Sequence, residues 1–546
     1  MKRKAVAAVL TAVMVASMFT GCGSDNGSSS AKSASAASAA SAANDTVDED
    51  GKVNGIMYQE GLPLVDEGDY TFSIFCDDSS ESGEFIMLDE FKKQTNVDVD
   101  LKIYPYETAT ERLNLDLNSG DYADVIGGWT LSDNAILTYG VNQGVFIPLE
   151  DYFEKYCPNI SAILDLPGVR EKMTAPDGHI YTIPYVCADT TVGYSPYINT
   201  KWLENVGMSM PTTTDEFEAV LKAFKEQDAN GNGDASDEIP FSTDPNNKHI
   251  EAMAGYFGLP MNELGIAIQN EKVVYGGVSD TYREFLSWFH KLYAEGLVDV
   301  ELYTQDSSTW EGKGNQDLYG VSIAYGSNEF TGIPAAEERG DFDSMPVLNT
   351  DKDGIWLRDT EGFSVYRTQA VITNKAEHPE IICRWFDNAF ALENGIGCNR
   401  GPVGVIVNKE DDGYHAIDTT TLSEEDQEKY SWGNLWPQSL PKYLPVDFEF
   451  VEEHPMYDEK KATEEAYEAN LTKEIIPSHW IDLDKIDTFS DTNTAIKDFF
   501  EQQQAQFVCG ELDIDNDADW QAYVDGMYSL GLEDWVATQG IEEIAK

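Results

Sequence analysis

Hydrophobic and polar positions change rhythm several times along the chain. Ala5 to Phe19 is an apolar run interrupted only by Thr11 and Ser17, and Lys2, Arg3 and Lys4 precede it. It is shorter than the ~20 apolar residues of a membrane-spanning helix, so it reads as a cleaved export signal over 1–21. The run ends Phe19-Thr20-Gly21-Cys22, and Gly23 to Asn44 is almost wholly Ser, Ala and Gly. Such a stretch buries nothing and predicts a flexible spacer over 22–50, with an r.m.s. reach of roughly 25 Å. The body then opens with Asp69–Cys76, Val97–Tyr104 and the short Ala123–Ile126, which read as strands, while Glu84–Thr95 and Thr108–Leu117 between them have helical spacing. That alternation predicts parallel βαβ units in an α/β layer. Ligands of such layers sit at the carboxyl ends of strands, here occupied by Asp77, Asp78 and Ser79 and by Gly127-Gly128-Trp129-Thr130. Further on, Pro176-Asp-Gly178 predicts a turn. Asp215–Glu226 predicts a helix capped by Thr213 or Thr214, and Asp280–Glu295, His378–Glu393, Thr492–Val508 and Asp517–Leu530 predict four more.

Composition narrows what this body can do. Its 546 residues suffice for two to four packing units. A formal charge of −62 repels phosphate backbones and anionic lipids, which excludes nucleic acid as a partner. No later segment offers about 18 uninterrupted apolar residues, so the body is not expected to cross a membrane. Besides Cys22 there are Cys76, Cys157, Cys187, Cys383, Cys398 and Cys509, none in a CxxC spacing, and buried free thiols are the favoured reading.

The most specific local motif is Asp228-Ala-Asn230-Gly-Asn232-Gly-Asp234-Ala-Ser-Asp237-Glu238. Its first half has the alternating oxygen ligands and turn glycine of an EF-hand loop, but Ile239 stands where the bidentate glutamate belongs. A structural calcium held by Asp228, Asn230, Asn232, the Asp234 carbonyl, Asp237 and Glu238 competes with a plain Asn/Gly turn. The series Asp513, Asp515, Asp517, Asp519 has Ala518 in place of the glycine and reads as a solvated helix entry. There is no H-E-x-x-H, G-x-S-x-G or phosphate-binding glycine loop, and seven scattered histidines lack metal spacing. With 98 acids, spacing cannot pick out a glycosidase carboxylate pair. Trp129 follows Gly-Gly at a strand end, and Trp432 and Trp436 sit in a Gly-, Asn- and Pro-containing loop. Each is a candidate stacking platform for sugar, or a core side chain under a loop.

Four stretches in order give the chain a wider likeness. They are the Cys22 box, Asp177-Gly-His-Ile-Tyr-Thr-Ile-Pro-Tyr185, Tyr197-Ile-Asn-Thr-Lys-Trp-Leu-Glu204 running on to Phe217, and the Asp228 loop ending Glu238-Ile-Pro. With these the chain resembles the extracellular solute-binding lipoproteins of bacterial ABC importers, family 1, carbohydrate type. The resemblance implies a periplasmic-binding-protein-like α/β clamshell, with lobe 1 at 51–186 and 371–402 and lobe 2 at 187–370 and 403–546. Crossings are expected near Pro184–Gly193, Gly362–Ile372 and Asn399–Ile406. It also implies lipidation at Cys22 on the extracellular face of the cell membrane, a monomer, permease subunits as partners, an oligosaccharide ligand and no catalysis. Contacts carried over are Asp77, Asp78, Trp129, Asp133 and Asp189, and more loosely Tyr325 and Trp432. A secreted glycoside hydrolase and a calcium-dependent surface adhesin remain the alternatives.

Overall fold

One face of the segment Tyr70–Asp77 is apolar throughout, and the other carries Thr71, Ser73, Phe75 and Asp77, of which Phe75 and Asp77 are buried, so the strand is covered on both sides. Phe72, Ile74 and Cys76 point into one core with Met87, Phe91 and Trp385, while Phe75 points the other way, to Leu113, Ile126 and Val371. It is accordingly a central strand. Val97–Tyr104 and Val125–Gly127 flank it in parallel, and Ala370–Ile372 closes the sheet antiparallel to Val125–Gly127. Helices Ile86–Thr95 and Tyr106–Ser119 make the connections, the first ending at Asn96 in the left-handed region and the second at Gly120.

The computed structural model describes residues 45–78, 84–244, 249–332, 341–417, 419–451, 455–541 and 543–545, without the side chains at 107, 420 and 455–458. The export signal, Cys22 and the spacer up to residue 44 lie outside these residues, as does Ser79. At 45–50 the expected spacer is already part of the body. Tyr156 Oη donates to Asp45 Oδ2 at 2.8 Å, and Val53 and Met57 are buried beside it in sequence. Among the described residues no helix is long and apolar enough to cross a membrane. The six cysteines named above are free; Cys187 is partly exposed and Cys509 exposed.

A second sheet runs in the order Phe342–Ser344, Ser195–Asn199, Tyr319–Ala324, Ile239–Thr243, and only its last pair is parallel. Helix Thr214–Glu226 covers it. Thr213 caps this helix by accepting from Glu216 N at 3.2 Å, and Glu216 reaches back to accept from Thr212 N at 2.9 Å, a near capping box. Helices Asp280–Ala294, Ile486–Cys509, Asp517–Ser529 and Leu532–Thr538 complete this second core.

Two crossing strands join the lobes. Tyr185–Ala188 pairs antiparallel with Phe363–Tyr366, Tyr185 opposite Tyr366 and Ala188 opposite Phe363. Val186 still belongs to the first core, and Val192 belongs to the second. The third expected crossing, at Asn399–Ile406, and the assignment of all of 403–546 to lobe 2 do not hold. Trp436 and Leu440 are buried in the first core, where the Trp436 ring stacks on Trp385 at 5.7 Å. The chain leaves the first lobe only after Tyr443, enters the second core at Tyr467, and comes back with Ile481 and Ile486. Two further element boundaries differ from expectation. The helix expected at His378–Glu393 breaks at Ala391, whose ψ is 136°, into Pro379–Ala389 and Leu392–Arg400. The last long helix starts at Ile486 instead of Thr492 because Ile486 is buried with Phe75, Leu113, Ile126 and Val371 on the other side of the first sheet, although Asp487 to Thr494 is poor in helix formers.

Candidate ligand-binding site

The loop after Val125–Gly127 is built around one carboxylate. Asp77, fully buried, accepts from Trp129 N at 3.0 Å and from Thr130 N at 2.7 Å. Gly128 sits at φ 135° against that carboxylate, and a Cβ there would overlap it. Burial pushes the Asp77 carboxyl up, and the two loop N–H groups oppose that rise. The result is a fixed loop that leaves Trp129 46% exposed. Asp77 therefore holds the loop from below and does not face the open side. Asp78 is also turned inward and accepts from Gln438 N at 2.7 Å.

Asp133, four residues beyond Trp129, accepts from Arg367 Nε at 2.8 Å and pairs through its second oxygen with Nη2. The Arg367 guanidinium stacks over Trp480 at 4.1 Å and also donates to the His479 carbonyl at 2.8 Å. This pair fastens the Trp129 loop to the second crossing strand, one residue past Tyr366.

Tyr366 is where the platform meets the hinge. Its ring meets Trp129 edge to face at 5.3 Å and stacks on Tyr185 at 5.5 Å. Its hydroxyl donates to Asp189 Oδ2 at 3.3 Å, and Ser364 Oγ donates to the same oxygen at 2.5 Å. Asp189 Oδ1 accepts from Thr190 N at 2.8 Å and from Tyr325 Oη at 3.4 Å. A continuous chain of contacts thus runs Trp129, Tyr366, Asp189, Tyr325 from the first lobe across the crossing strands to the second.

Tyr325 lies edge-on to Tyr194 at 6.0 Å, and Tyr194 stacks on His249 at 4.0 Å. Lys460 Nζ sits 3.6 Å from the centre of the Tyr325 ring and donates to the Gly193 carbonyl at 2.9 Å. Burial pushes the Lys460 ammonium down to about 8, against the pull of Glu329, Glu459, Asp189 and Asp359. Burial likewise pushes the Glu329 carboxyl up to about 7. Trp432 stands apart from this chain. It is 57% exposed, its carbonyl accepts from Gln438 Nε2 at 2.9 Å, and buried Lys442 lies 5.2 Å from its ring centre. Trp436, its partner in the sequence motif, is core.

Of the seven contacts expected from sequence, the structure thus brings together Trp129, Asp189 and Tyr325. It places Asp77 and Asp133 behind Trp129, and Asp78 beside the Trp432 loop. Sequence reading missed Tyr366, Tyr185, Ser364, Tyr194 and Lys460. The first three lie in the expected crossings and were recoverable from that placement. Lys460, in the Glu459-Lys460-Lys461 run of an acidic helix, carried no signal.

In the 228–238 loop the Asn and Asp side chains cap successive backbone N–H groups: Asn232 N to Asn230 Oδ1 at 3.0 Å, Asp234 N to Asn232 Oδ1 at 2.7 Å, and Gly233 N to Asp228 Oδ2 at 3.0 Å. Asn232 Nδ2 donates to Asp237 Oδ2 at 2.8 Å, and Ala229 N to Glu238 Oε1 at 2.9 Å. The remaining oxygens Asp228 Oδ1 and Glu238 Oε2 are buried with no donor, and burial pushes the Glu238 carboxyl up. Elsewhere, Glu410, Asp412 and His415 on an exposed hairpin bring their ligand atoms within 4.8 Å of one another.

The description "bacterial extracellular solute-binding protein" fits residues 78–395 as a family profile. The chain is 31% identical over 411 residues to the fructooligosaccharide ABC transporter substrate-binding protein FusA of Streptococcus pneumoniae, covering 73% of this chain and 70% of FusA. A solved S. pneumoniae FusA EF-hand mutant in complex with fructo-nystose matches with a TM-score of 0.75 at 27% identity, over 86% of this chain and 98% of that one. The alginate-binding protein AlgQ2, solved without calcium ion, shares the fold at a TM-score of 0.70 and 22% identity, over 88% and 99% of the two chains. With a profile match across more than half its length and a relative above 30% identity, the chain belongs to the bacterial extracellular solute-binding proteins.

Proposed function

We propose that this protein is a receptor, lipid-anchored through Cys22 on the extracellular face of the membrane, that captures an oligosaccharide between its lobes and passes it unaltered to the permease subunits of an ABC importer. The observation that carries the reading is the Trp129–Tyr366–Asp189–Tyr325 chain spanning the crossing strands, in a molecule similar along most of its length to FusA. Sugars present C–H faces that pack on exposed rings and hydroxyls that donate to carboxylates. In this reading Trp129 is the stacking platform, Asp189 and Tyr325 are polar contacts, and Trp432 is an outer platform. Asp77, Asp78 and Asp133 hold loops.

The 228–238 loop binds calcium away from that chain of residues. Asp228 Oδ1 and Glu238 Oε2, buried without a donor, are what an oxygen-ligated cation would satisfy. Asn230, Asn232, the Asp234 carbonyl and Asp237 would supply the other oxygens, and the ion would stabilise the loop. FusA described as an EF-hand mutant and AlgQ2 described without calcium are consistent with such a site.

Titration calorimetry of the spacer-free protein with nystose, maltotriose and other neutral oligosaccharides tests the receptor reading, with product analysis of the same mixtures. Saturable binding with intact sugar is expected. Turnover would instead support a glycoside hydrolase.

A further inference from the structure

Five carboxylates meet where the crossing strands enter the second lobe, and main-chain N–H groups hold each of them. Thr190 N donates to Asp189 at 2.8 Å, Thr191 N to Glu464 at 2.6 Å, and Gly193 N to Asp359 at 2.6 Å. Tyr325 N donates to Glu329 at 2.9 Å and Ser327 N to Glu459 at 3.0 Å. Backbone dipoles fix these groups in place and cancel no formal charge. Among the described residues, the ammonium whose charge reaches Asp189, Glu329, Asp359 and Glu459 is that of Lys460. It is buried under the Tyr325 ring and donates to the Gly193 carbonyl. On the first lobe, Arg367 is spent on Asp133 and the His479 carbonyl. Lys442 is buried against Gln438 Oε1.

We infer that this collar of Asp189, Glu329, Asp359, Glu459 and Glu464 sets the substrate class of the site, admitting neutral oligosaccharides and rejecting those that carry uronate. The inference rests on the receptor reading above and adds the sign of the ligand. Fixed carboxylates accept hydrogen bonds from sugar hydroxyls without reorganising. A uronate in the same place brings an acceptor against acceptors and a like charge, while Lys460, whose charge reaches these carboxylates among the described residues, is held on the Gly193 carbonyl. A carboxylate within ~7 Å of one unneutralised fixed charge is disfavoured roughly tenfold at a dielectric between protein and water.

The test measures Kd by calorimetry at pH 8, where Glu329 and Asp359 are ionised, for nystose, maltotriose and trigalacturonate at low and at 0.5 M salt, in wild type and in the isosteric double variant Glu329→Gln/Asp359→Asn, with each single variant as a folding control. The expected result is that trigalacturonate binds at least tenfold more weakly than the better neutral sugar. The double variant should narrow that ratio by tenfold or more, and salt should narrow it in wild type by screening. Trigalacturonate binding as tightly as the neutral probes, or a ratio that neither the variant nor salt moves, would overturn the inference while leaving an oligosaccharide receptor. Binding of none of the three would remove the receptor reading on which it stands.

Discussion

At the scale of single residues, Trp432 and Trp436 show why residue type alone does not mark a site. They are four positions apart in one loop, yet one is 57% exposed and the other fully buried against Trp385. The difference lies in a partner more than 50 residues away, which no local pattern reports. Trp129 was legible because two glycines and a strand end leave little apolar surface to cover it. The carboxylate that fixes its loop, Asp77, reads in the sequence as a candidate ligand contact, and its structural role depends on the N–H groups of residues 129 and 130, which only the fold brings to it. Two outcomes follow from this geometry. Trp129→Ala should weaken binding of the sugar found by calorimetry by tenfold or more, at about 1.5–3 kcal/mol for a lost aromatic face, with the melting temperature nearly unchanged. Gly128→Ala should lower both affinity and melting temperature, because its added methyl strikes the buried Asp77 carboxylate at a left-handed φ. Equal effects of the two substitutions on stability would mean that Trp129 is a packing residue and not a platform.

At the scale of elements, alternation and caps were readable wherever one face of a strand or helix meets one core. The first three strands fall within about two residues of expectation, and Thr213 caps its helix as the sequence suggests. The reading failed where an element is held from outside itself. The first turn of helix Ile486–Cys509 is composed against helix formation and exists because Ile486 is anchored, and the break at Ala391 follows an apolar stretch with helical spacing. The 228–238 loop lies between these cases. Its Asx turns are written in the sequence, but its two orphaned oxygens are visible only in three dimensions. A calcium that binds only the folded state adds about 2.7 kcal/mol at a hundredfold excess over Kd. Chelation should therefore lower the melting temperature of the wild type by several degrees and leave Asp228→Ala unaffected. Chelator indifference in wild type would return the loop to an ordinary turn.

At the scale of the whole molecule, the folded state depends on pH through groups buried where the crossing strands enter the second lobe. Burial raises the Glu329 carboxyl from its ordinary range to about 7, with Asp244 adding to the rise and Lys460 opposing it. A carboxyl raised on folding contributes stability that is complete below its unfolded value of about 4.5 and is lost as pH climbs through about 7. Lys460, lowered to about 8, acts in the other direction: its contribution is lost as pH falls through about 8. The two are separated by difference. Wild type minus Glu329→Gln should lose relative melting temperature between pH 4.5 and 7 and then level off, whereas a flat difference would mean that solvent reaches the carboxylate freely.

Motion is constrained by how often the chain passes between the lobes. Besides the paired strands Tyr185–Ala188 and Phe363–Tyr366, the chain crosses between Tyr443 and Tyr467, returns before Ile481, and crosses again along one helix. That helix has Ile486 buried against the first lobe's sheet, with Leu113, Ile126 and Val371, and Ile496 onward in the second core, with Phe489 packed against both clusters. A rigid rod rooted in both cores permits rotation about its own first turns and the crossing strands, and resists wide opening. Small-angle scattering should therefore show a modest contraction on saturation with the sugar found by calorimetry. Ile486→Ala, which removes the root at a cost of about 2–4 kcal/mol in a well-packed core, should widen the ligand-free envelope and enlarge that contraction. An envelope that stays the same with and without sugar, in wild type and variant alike, would show that ligand enters a preformed groove and that the lobes do not close.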